Sequence, residues 1–282
     1  MRKWTTWLPM ISVLALAAAT ARAEDGRPLV LATTTSVRDT GLMDELIPRF
    51  EKESGIHVQL VAVGSGAALA MGEKGDADVL LTHDPDGERA LVERGALVDH
   101  VAFLENFFLI AGPPDDPAGV AQAADGASAL RRIAGAKAPY ASRGDDSGTH
   151  KRERKLFRAA GLAADPTWDG FVRTGLGMGA TLQVAGEKRA YALSDTATFL
   201  AFRERTGLAP ALDARTPDLR NVYAVSRPNP AKLPAGRVDV EGGKRLAAFL
   251  TAPATVVRIA ELGAERGEPL FRPIAAPDAA PQ

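Results

Sequence analysis

Three short segments of the chain combine hydroxyl side chains with glycine directly after an apolar run. They are residues 33–36 (TTTS), 64–66 (GSG) and 143–149 (RGDDSGT), each followed by a sequence of helical character. A helix start exposes unpaired backbone N–H groups and carries partial positive charge, and hydroxyl groups add further donors. Each segment can therefore hold an anion. Serine and threonine also cap helices without any ligand, which is the more ordinary interpretation of a single such segment.

Arg143 is the one basic residue within these three segments. Its planar guanidinium can donate to two oxygens of a tetrahedral anion, whereas the alternative is a plain surface arginine. Asp145 follows two residues later, and we favour a role in orienting Arg143 over direct contact with a ligand. In the second case Asp145 would select a protonated oxyanion.

Other kinds of chemistry find little support in the sequence. There is no cysteine, and the histidines lack metal-binding spacing. Residues 175–179 (GLGMG) lack a nucleotide-binding pattern and predict a cleft-side loop that enters a helix.

The basic run at 151–155 includes Glu153 and predicts a solvated helix face that steers anions weakly. A hydrolase using Ser65 or Ser147 would have only His150 as a nearby base.

Strands and helices alternate along the chain with short connections. Strands are predicted at residues 27–32, 56–63 and 79–82, with helical patterns between them. This order is typical of an α/β fold with a parallel sheet and helices on both faces. The carboxyl ends of such strands share one edge, where ligands bind.

Two crossing strands indicate two lobes joined by a hinge. Strand 106–111 precedes the break at 112–117 (GPPDDP), and strand 221–226 precedes Pro228. Each lobe is predicted to be a mainly parallel sheet flanked by helices. The predicted limits are residues 24–111 with 224–282 for the first lobe and residues 112–223 for the second. A cleft between hinged lobes suits a small ligand, as in a solute receptor.

Residues 1–23 predict a secretory signal peptide. Arg2 and Lys3 precede an apolar run at 7–20, and Ala21-Arg22-Ala23 predicts cleavage after Ala23. The run is shorter than the ~20 residues that span a bilayer, so we expect a periplasmic protein. Of the 34 basic and 35 acidic residues, only basic ones leave with the signal, so the remaining chain is net negative and offers no attraction to nucleic acid or anionic membranes.

Four segments resemble the extracellular tungstate-binding proteins of ABC transporters. They are residues 31–69, GDADVLLTHDP at 75–85, SRGDDSGTHKRE at 142–153 and YALSDTATFL at 191–200. The resemblance implies the two-lobed periplasmic binding protein fold of type II, with a tetrahedral oxyanion held in the closed cleft. It implies the following ligand-binding residues: Thr34, Thr35, Ser36 and Ser65 from the first lobe, and Arg143, Ser147, Gly148 and Thr149 from the second.

The function expected from this resemblance is capture of tungstate and delivery to the permease and ATPase subunits of an ABC importer. Molybdate, phosphate or sulfate are alternative ligands, and a ligand-sensing partner of a membrane signalling protein is an alternative role. The expected protein is a monomer and not an enzyme. We expect no cofactor and no bound metal cation, since the metal of tungstate or molybdate arrives as part of the ligand.

Overall fold

The computed structural model describes residues 26–264 and 267–274. The predicted signal peptide, residues 1–23 with its cleavage after Ala23, lies outside these ranges. In the described part of the chain we find no helix with the length and apolar content that a membrane span needs.

The first lobe is built on three parallel strands, β1 (Leu29–Thr34), β2 (Val58–Val63) and β3 (Val79–Thr82). β1 lies in the middle and pairs with both neighbours, so the carboxyl ends of all three strands lie at one edge of the sheet. The helices that alternate with these strands are α1 (Thr35–Asp39), α2 (Leu42–Ser54), α3 (Ser65–Lys74) and α4 (Pro85–Glu93).

Antiparallel strands extend this sheet. β4 (Leu97–Gly112) and β9 (Arg220–Pro228) pair with each other, β9 also pairs with β3, and β4 pairs with the short β10 (Arg272–Pro273). Helices α9 (Val240–Thr251) and α10 (Pro253–Glu261) return to the first lobe and contribute buried residues to its core. The parallel strands predicted from the sequence are present, and the sheet as a whole is mixed.

The second lobe contains a parallel pair, β5 (Tyr140–Ser142) and β6 (Phe171–Arg173). Two further strands, β7 (Ala192–Asp195) and β8 (Ala209–Leu212), pair antiparallel with the C-terminal part of β4. The helices of this lobe are α5 (Gly126–Gly135), α6 (Gly148–Ala159), α7 (Met178–Glu187) and α8 (Thr196–Thr206).

The passage between the lobes occurs inside β4. Residues up to Phe107 pair with β9, whereas Phe108 begins the pairing with β7. Phe103 accordingly packs in the core of the first lobe and Phe108 in a core of the second. The change of partner lies upstream of the break at 112–117. The lobe limits drawn from the sequence remain a prediction: 24–111 with 224–282, and 112–223.

The start of the site region differs locally from the sequence expectation. β1 was predicted to end at residue 32, but it continues through Thr34 because residues 33 and 34 keep their pairing with β2. The short helix α1, which apolar periodicity does not reveal, begins directly at Thr35. Thr34 thus ends a strand and caps a helix at the same time.

Candidate anion-binding site between the lobes

The three hydroxyl-rich segments meet where the two lobes face each other. In each segment a strand leads into a helix: β1 into α1, β2 into α3, and β5 into α6. Thr35 is half-buried. The other predicted ligand-binding residues are buried: Thr34, Ser36, Ser65, Arg143, Ser147, Gly148 and Thr149. The structure therefore brings all the predicted positions to one junction, while their roles in binding stay a prediction.

Glycine allows the opposing turns to approach closely. A Cβ atom added to Gly148 would lie 2.9 Å from Ser65 Oγ and 3.0 Å from His83 Cε1. A Cβ atom added to Gly64 would lie 3.6 Å from Ser147 Cα. Because Gly148 belongs to the second lobe and Ser65 and His83 to the first, the cleft is closed at this point.

Three buried polar atoms at this junction have no hydrogen-bond partner among residues 26–264 and 267–274. They are Ser65 Oγ, Thr149 Oγ1 and Arg143 Nε. A buried donor left unpaired costs about 1–3 kcal/mol, so such groups normally find a partner in protein, water or ligand. Donors from both lobes thus converge without an acceptor among the described residues. A tetrahedral oxyanion presents acceptor oxygens in several directions and matches this need.

The guanidinium of Arg143 is held by Asp145. Arg143 Nη2 donates to Asp145 Oδ2 at 2.5 Å and to Thr35 Oγ1 at 3.4 Å. Asp145 Oδ1 accepts from the Ser147 N–H at 3.2 Å. Burial opposes ionisation of Asp145, but Arg143 and the hydrogen bonds of Ser147 outweigh it and hold its pKa below the ordinary value. This geometry matches the orienting role favoured from the sequence.

Two of the candidate hydroxyls also cap helices. Thr34 Oγ1 accepts from the Val37 N–H at 3.4 Å and lies 3.0 Å from Ser36 Oγ. Ser147 Oγ accepts from the His150 N–H at 3.2 Å. Thr34 and Ser147 are therefore helix caps, and capping uses an oxygen lone pair of each hydroxyl and not its hydrogen. Ser65 and Thr149 have no such partner, which separates them from plain caps.

Sequence reasoning missed His83, which directly follows β3. Its ring is buried, stacks on Tyr223 with a centroid separation of 4.9 Å, and lies with Nε2 at 3.5 Å from Ser36 Oγ. Its Nδ1 is 2.9 Å from Asn221 Oδ1. The signal available in the sequence was its position, since a residue after β3 lies at the same sheet edge as the segments after β1 and β2.

Glu153 differs from its sequence interpretation. It was predicted to share a solvated helix face, but it is buried and accepts from Tyr140 OH and Ser142 Oγ, both at 2.7 Å. Burial raises its pKa to about 7, although these hydrogen bonds and the nearby Arg143 act in the opposite direction. The residue faces β5 because two hydroxyl donors there pair its carboxyl oxygens.

Basic residues of α6 also bind across the cleft. Lys151 Nζ lies 2.6 Å from Asp84 Oδ2, and Lys155 pairs with Asp86. Asp84 and Asp86 stand at the start of α4 in the first lobe. These ion pairs lie at the rim of the closed cleft, so part of the predicted solvated face is used in contacts between the lobes.

The glycine loop before α7 closes on the first lobe from another side. The Gly179 N–H donates to Asp39 Oδ2 at 3.3 Å, and a Cβ atom on Gly177 would lie 3.5 Å from Thr35. The predicted position of this loop at the cleft is thus observed. Among residues 26–264 and 267–274 we find no group of three or more histidine or acidic side chains placed to hold a metal ion.

Comparison with known proteins agrees with this architecture. A model of the PBP superfamily domain matches residues 17–254. The tungstate-binding protein TupA of Peptoclostridium acidaminophilum is 39% identical over 88% of this chain and 86% of its own length. The chain belongs to the TupA family of the PBP superfamily.

Solved structures of similar proteins support the TupA family assignment at the level of the fold. The tungstate ABC transporter structure from Geobacter sulfurreducens has a TM-score of 0.72 and 38% identity, covering 81% of this chain and 96% of that one. TupA from Desulfovibrio alaskensis G20 has a TM-score of 0.73 and 36% identity, covering 89% and 100%. The family resemblance and the two-lobed α/β fold of type II predicted from the sequence are confirmed.

Proposed function

We propose that this protein is a periplasmic receptor that captures tungstate in the cleft and delivers it to the permease and ATPase subunits of an ABC importer. The observation that carries the proposal is the convergence of unpartnered buried donors from both lobes: Ser65 Oγ, Thr149 Oγ1 and Arg143 Nε. Relatives described as tungstate-binding proteins support the choice of anion.

The donor set suits a doubly charged oxyanion. The amino ends of α1, α3 and α6 lie at the junction, and the first backbone N–H groups of each helix have no partner within the helix. Hydroxyl groups add donors without charge, and Arg143 adds one cation whose charge Asp145 balances. Such a site gains its affinity from many directed hydrogen bonds. We assign ligand contacts to these residues: Thr34, Thr35, Ser36, Ser65, Arg143, Ser147, Gly148 and Thr149.

Ligand binding and lobe closure are one event in this proposal. Ser65 and Gly148 come from different lobes and meet only when the cleft is shut. An anion that accepts hydrogen bonds from both sides therefore favours the closed form, because it has more favourable contacts there than in the open one. The pair of Lys151 with Asp84 adds a contact of the same kind.

Selection among oxyanions follows from size. Tungstate and molybdate are of similar size and equal charge, whereas sulfate and phosphate are smaller. A smaller anion cannot reach every donor in a cleft shaped for a larger one, and each donor left unpaired costs about 1–3 kcal/mol.

The hydroxyl contacts favour a receptor over a hydrolase. The Ser147 hydroxyl accepts from the backbone N–H of His150. The imidazole of His150 is engaged elsewhere, because its Nδ1 accepts from the Asp146 N–H at 3.0 Å. Ser147 is thus a helix cap and not a nucleophile activated by His150. We propose no covalent step and no cofactor.

The proposed location and assembly rest on the sequence and on the relatives. The signal-like residues 1–23 support export to the periplasm, and a relative described as a tungstate ABC transporter supports transfer to a permease and its ATPase. We propose that the receptor acts as a monomer, since donors from the two lobes of one chain meet at the junction.

Calorimetric titration of the chain lacking residues 1–23 tests the proposal. Sodium tungstate, molybdate, sulfate and phosphate are titrated at the same pH and ionic strength. We expect tungstate to bind most tightly, with sulfate and phosphate weaker by at least about tenfold, the effect of one lost hydrogen bond of roughly 1.4 kcal/mol. Equal binding of sulfate or phosphate would contradict the choice of anion, and no binding of any oxyanion would contradict the receptor function.

A further inference from the structure

A chain of hydrogen bonds runs through the hinge from the second lobe to the candidate site. Asn106 Nδ2 donates to Asp195 Oδ1 at 3.3 Å, and Asn221 Nδ2 donates to Asn106 Oδ1 at 2.8 Å. Asn221 Oδ1 then lies 2.9 Å from His83 Nδ1. Asn106 is on β4 and Asn221 on β9, the two crossing strands, and all of these side chains are buried.

The carboxylate at the start of this chain sets the direction of every hydrogen bond in it. Asp195 accepts from the Thr198 N–H and hydroxyl at 2.9 and 2.7 Å, and a carboxylate has no proton to donate. Each amide must therefore donate toward Asp195 and present its oxygen on the opposite side. His83 in turn carries its proton on Nδ1 and directs Nε2 at Ser36 Oγ, 3.5 Å away.

His83 is surrounded by charges of both signs. Burial lowers its pKa below the ordinary value, while the carboxylates of Asp195 and Glu88 and the hydrogen bond with Asn221 raise it, and Arg143 lowers it. The phenol of Tyr223 stacks on its face and stays neutral, since burial raises the pKa of that group well above its ordinary value. In this environment the protein without a ligand holds His83 neutral at pH 7.

The closed site has little positive charge to balance a dianion. Arg143 is paired with Asp145, so the two together contribute almost no net charge. A buried dianion then leaves the junction strongly negative, which favours any nearby group that can become a cation. His83 touches both turns, because it lies beside Ser36 and a Cβ atom on Gly148 would be 3.0 Å from its Cε1.

We propose that His83 takes up one proton from solvent when a doubly charged oxyanion binds, and that this proton turns the Ser36 hydroxyl toward the anion. The inference rests on the proposed function. In the neutral state His83 Nε2 carries no hydrogen and accepts from the Ser36 O–H, while Ser36 Oγ accepts from the Thr34 hydroxyl 3.0 Å away. In the charged state Nε2–H donates to Ser36 Oγ, and the Ser36 hydrogen becomes free to donate to the ligand.

The sign of the pH dependence follows from this exchange. The anion raises the pKa of His83 above its value in the ligand-free protein. The increase in oxyanion affinity that protonated His83 provides is therefore present in full below the pKa of His83 in the ligand-free protein. It is lost as pH rises through the pKa of the complex. Between the two pKa values the association constant falls by up to about tenfold per pH unit.

Titration calorimetry with sodium tungstate in buffers of different ionisation enthalpy measures the proton uptake directly. For the wild-type chain we expect the observed enthalpy to vary between buffers at one pH, with a slope that indicates uptake of protons. His83→Gln keeps a polar side chain of similar reach, and we expect weaker binding with no slope. His57→Gln is the matched control, because His57 is largely exposed and precedes the amino end of β2, whereas the junction lies at the carboxyl end of that strand; its slope should equal the wild-type value.

Glu153→Gln tests a second buried group near Arg143, because burial raises the pKa of the Glu153 carboxyl to about 7. A slope that persists in His83→Gln but vanishes in Glu153→Gln would assign the proton to Glu153 and overturn the proposal. A slope of zero in the wild type, with tungstate bound, would overturn proton uptake and leave the receptor function standing. Absence of tungstate binding to the wild type would overturn both.

Nuclear magnetic resonance of 15N-histidine in the wild-type chain gives a test that does not depend on a variant. Imidazole nitrogens report the tautomer and the charge of each ring. We expect one ring to change from the Nδ1–H neutral form to the doubly protonated form when tungstate is added at pH 7. A His83 ring that stays neutral in the complex would overturn the proposal even if His83→Gln does not fold.

Discussion

The two lobes bring different kinds of donors to the cleft. The first lobe contributes uncharged hydroxyls at the amino ends of α1 and α3, of which Ser65 is left without a partner. The second lobe contributes Arg143, already paired with Asp145, together with the unpartnered Thr149. Both sides thus supply directed hydrogen bonds, and only the second supplies a permanent cation.

This difference separates strength of binding from choice of ligand. A charged hydrogen bond attracts every oxyanion, because its energy depends mainly on charge. A neutral donor at a fixed position discriminates by distance. We therefore expect loss of Arg143 to weaken all oxyanions together, and loss of a neutral donor such as Ser65 in the first lobe to alter the ratio between large and small ones.

Arg143→Ala should have the largest effect on binding. It removes the permanent cation of the site and leaves Asp145 unpaired beside the ligand, so we expect a loss of about 2–4 kcal/mol for tungstate and for molybdate alike. Titration calorimetry measures both. Arg158→Ala in the same lobe is the control, since Arg158 is exposed near the C-terminal end of α6 and should give wild-type affinity. Unchanged affinity in Arg143→Ala would contradict its assignment.

Gly148→Ala tests whether closure of the two lobes is required. The added methyl group would meet Ser65 Oγ at 2.9 Å and His83 Cε1 at 3.0 Å, so the cleft could close only with a shift of these groups. We expect tungstate binding to weaken by about 1–3 kcal/mol, the usual cost of overpacking.

The matched control for this substitution is Gly135→Ala. Gly135 ends α5 and has open space where its Cβ would lie, so affinity should not change. Small-angle scattering with and without tungstate reports the compaction on closure. A Gly148→Ala protein that binds and compacts like the wild type would show that the approach of these turns is not needed.

Ser65→Ala should weaken binding without destabilising the free protein. The buried Ser65 hydroxyl has no partner, so its removal should leave the free protein unchanged or slightly more stable in urea unfolding. Tungstate affinity should fall by about 1 kcal/mol, because one hydrogen bond to the ligand is lost. A larger loss for tungstate than for sulfate would support discrimination by the first lobe, and equal losses would count against it.

Lys151→Ala should have the smallest effect. Lys151 is partly exposed and pairs with Asp84 across the cleft rim, and exposed ion pairs contribute roughly 0.2–1 kcal/mol. The loss in tungstate affinity should shrink at high salt, where the pair is screened. Calorimetric titrations at low and high ionic strength measure this loss of affinity. Lys188→Ala, at the C-terminal end of α7, is the control. A loss that does not depend on salt would contradict an ion-pair role for Lys151.

Much of the candidate site could be predicted because helix starts are local features. The segments at 33–36, 64–66 and 143–149 carry capping hydroxyls and glycines that define a strand end and a helix start within a few residues. The order of strands then places these starts at one sheet edge. The place of His83 after β3 was such a signal, but its contacts with Asn221 and Ser36 could not be predicted in this way. The buried state of Glu153 could not be predicted either, since it does not follow from the sequence neighbours of that residue.

The amino-acid sequence by itself determined that helices follow residues 64–66 and 143–149, which turns carry donors, and that Arg143 stands beside a carboxylate able to orient it. Tertiary structure alone decided which donors remain without a partner and which groups meet across the hinge. His83 and Asn221 are 138 residues apart, and their contact exists because β3 and the crossing strand β9 pair in one sheet. Hydrogen-bond satisfaction of a buried group depends on every segment packed around it, so it becomes defined only when the two lobes are assembled.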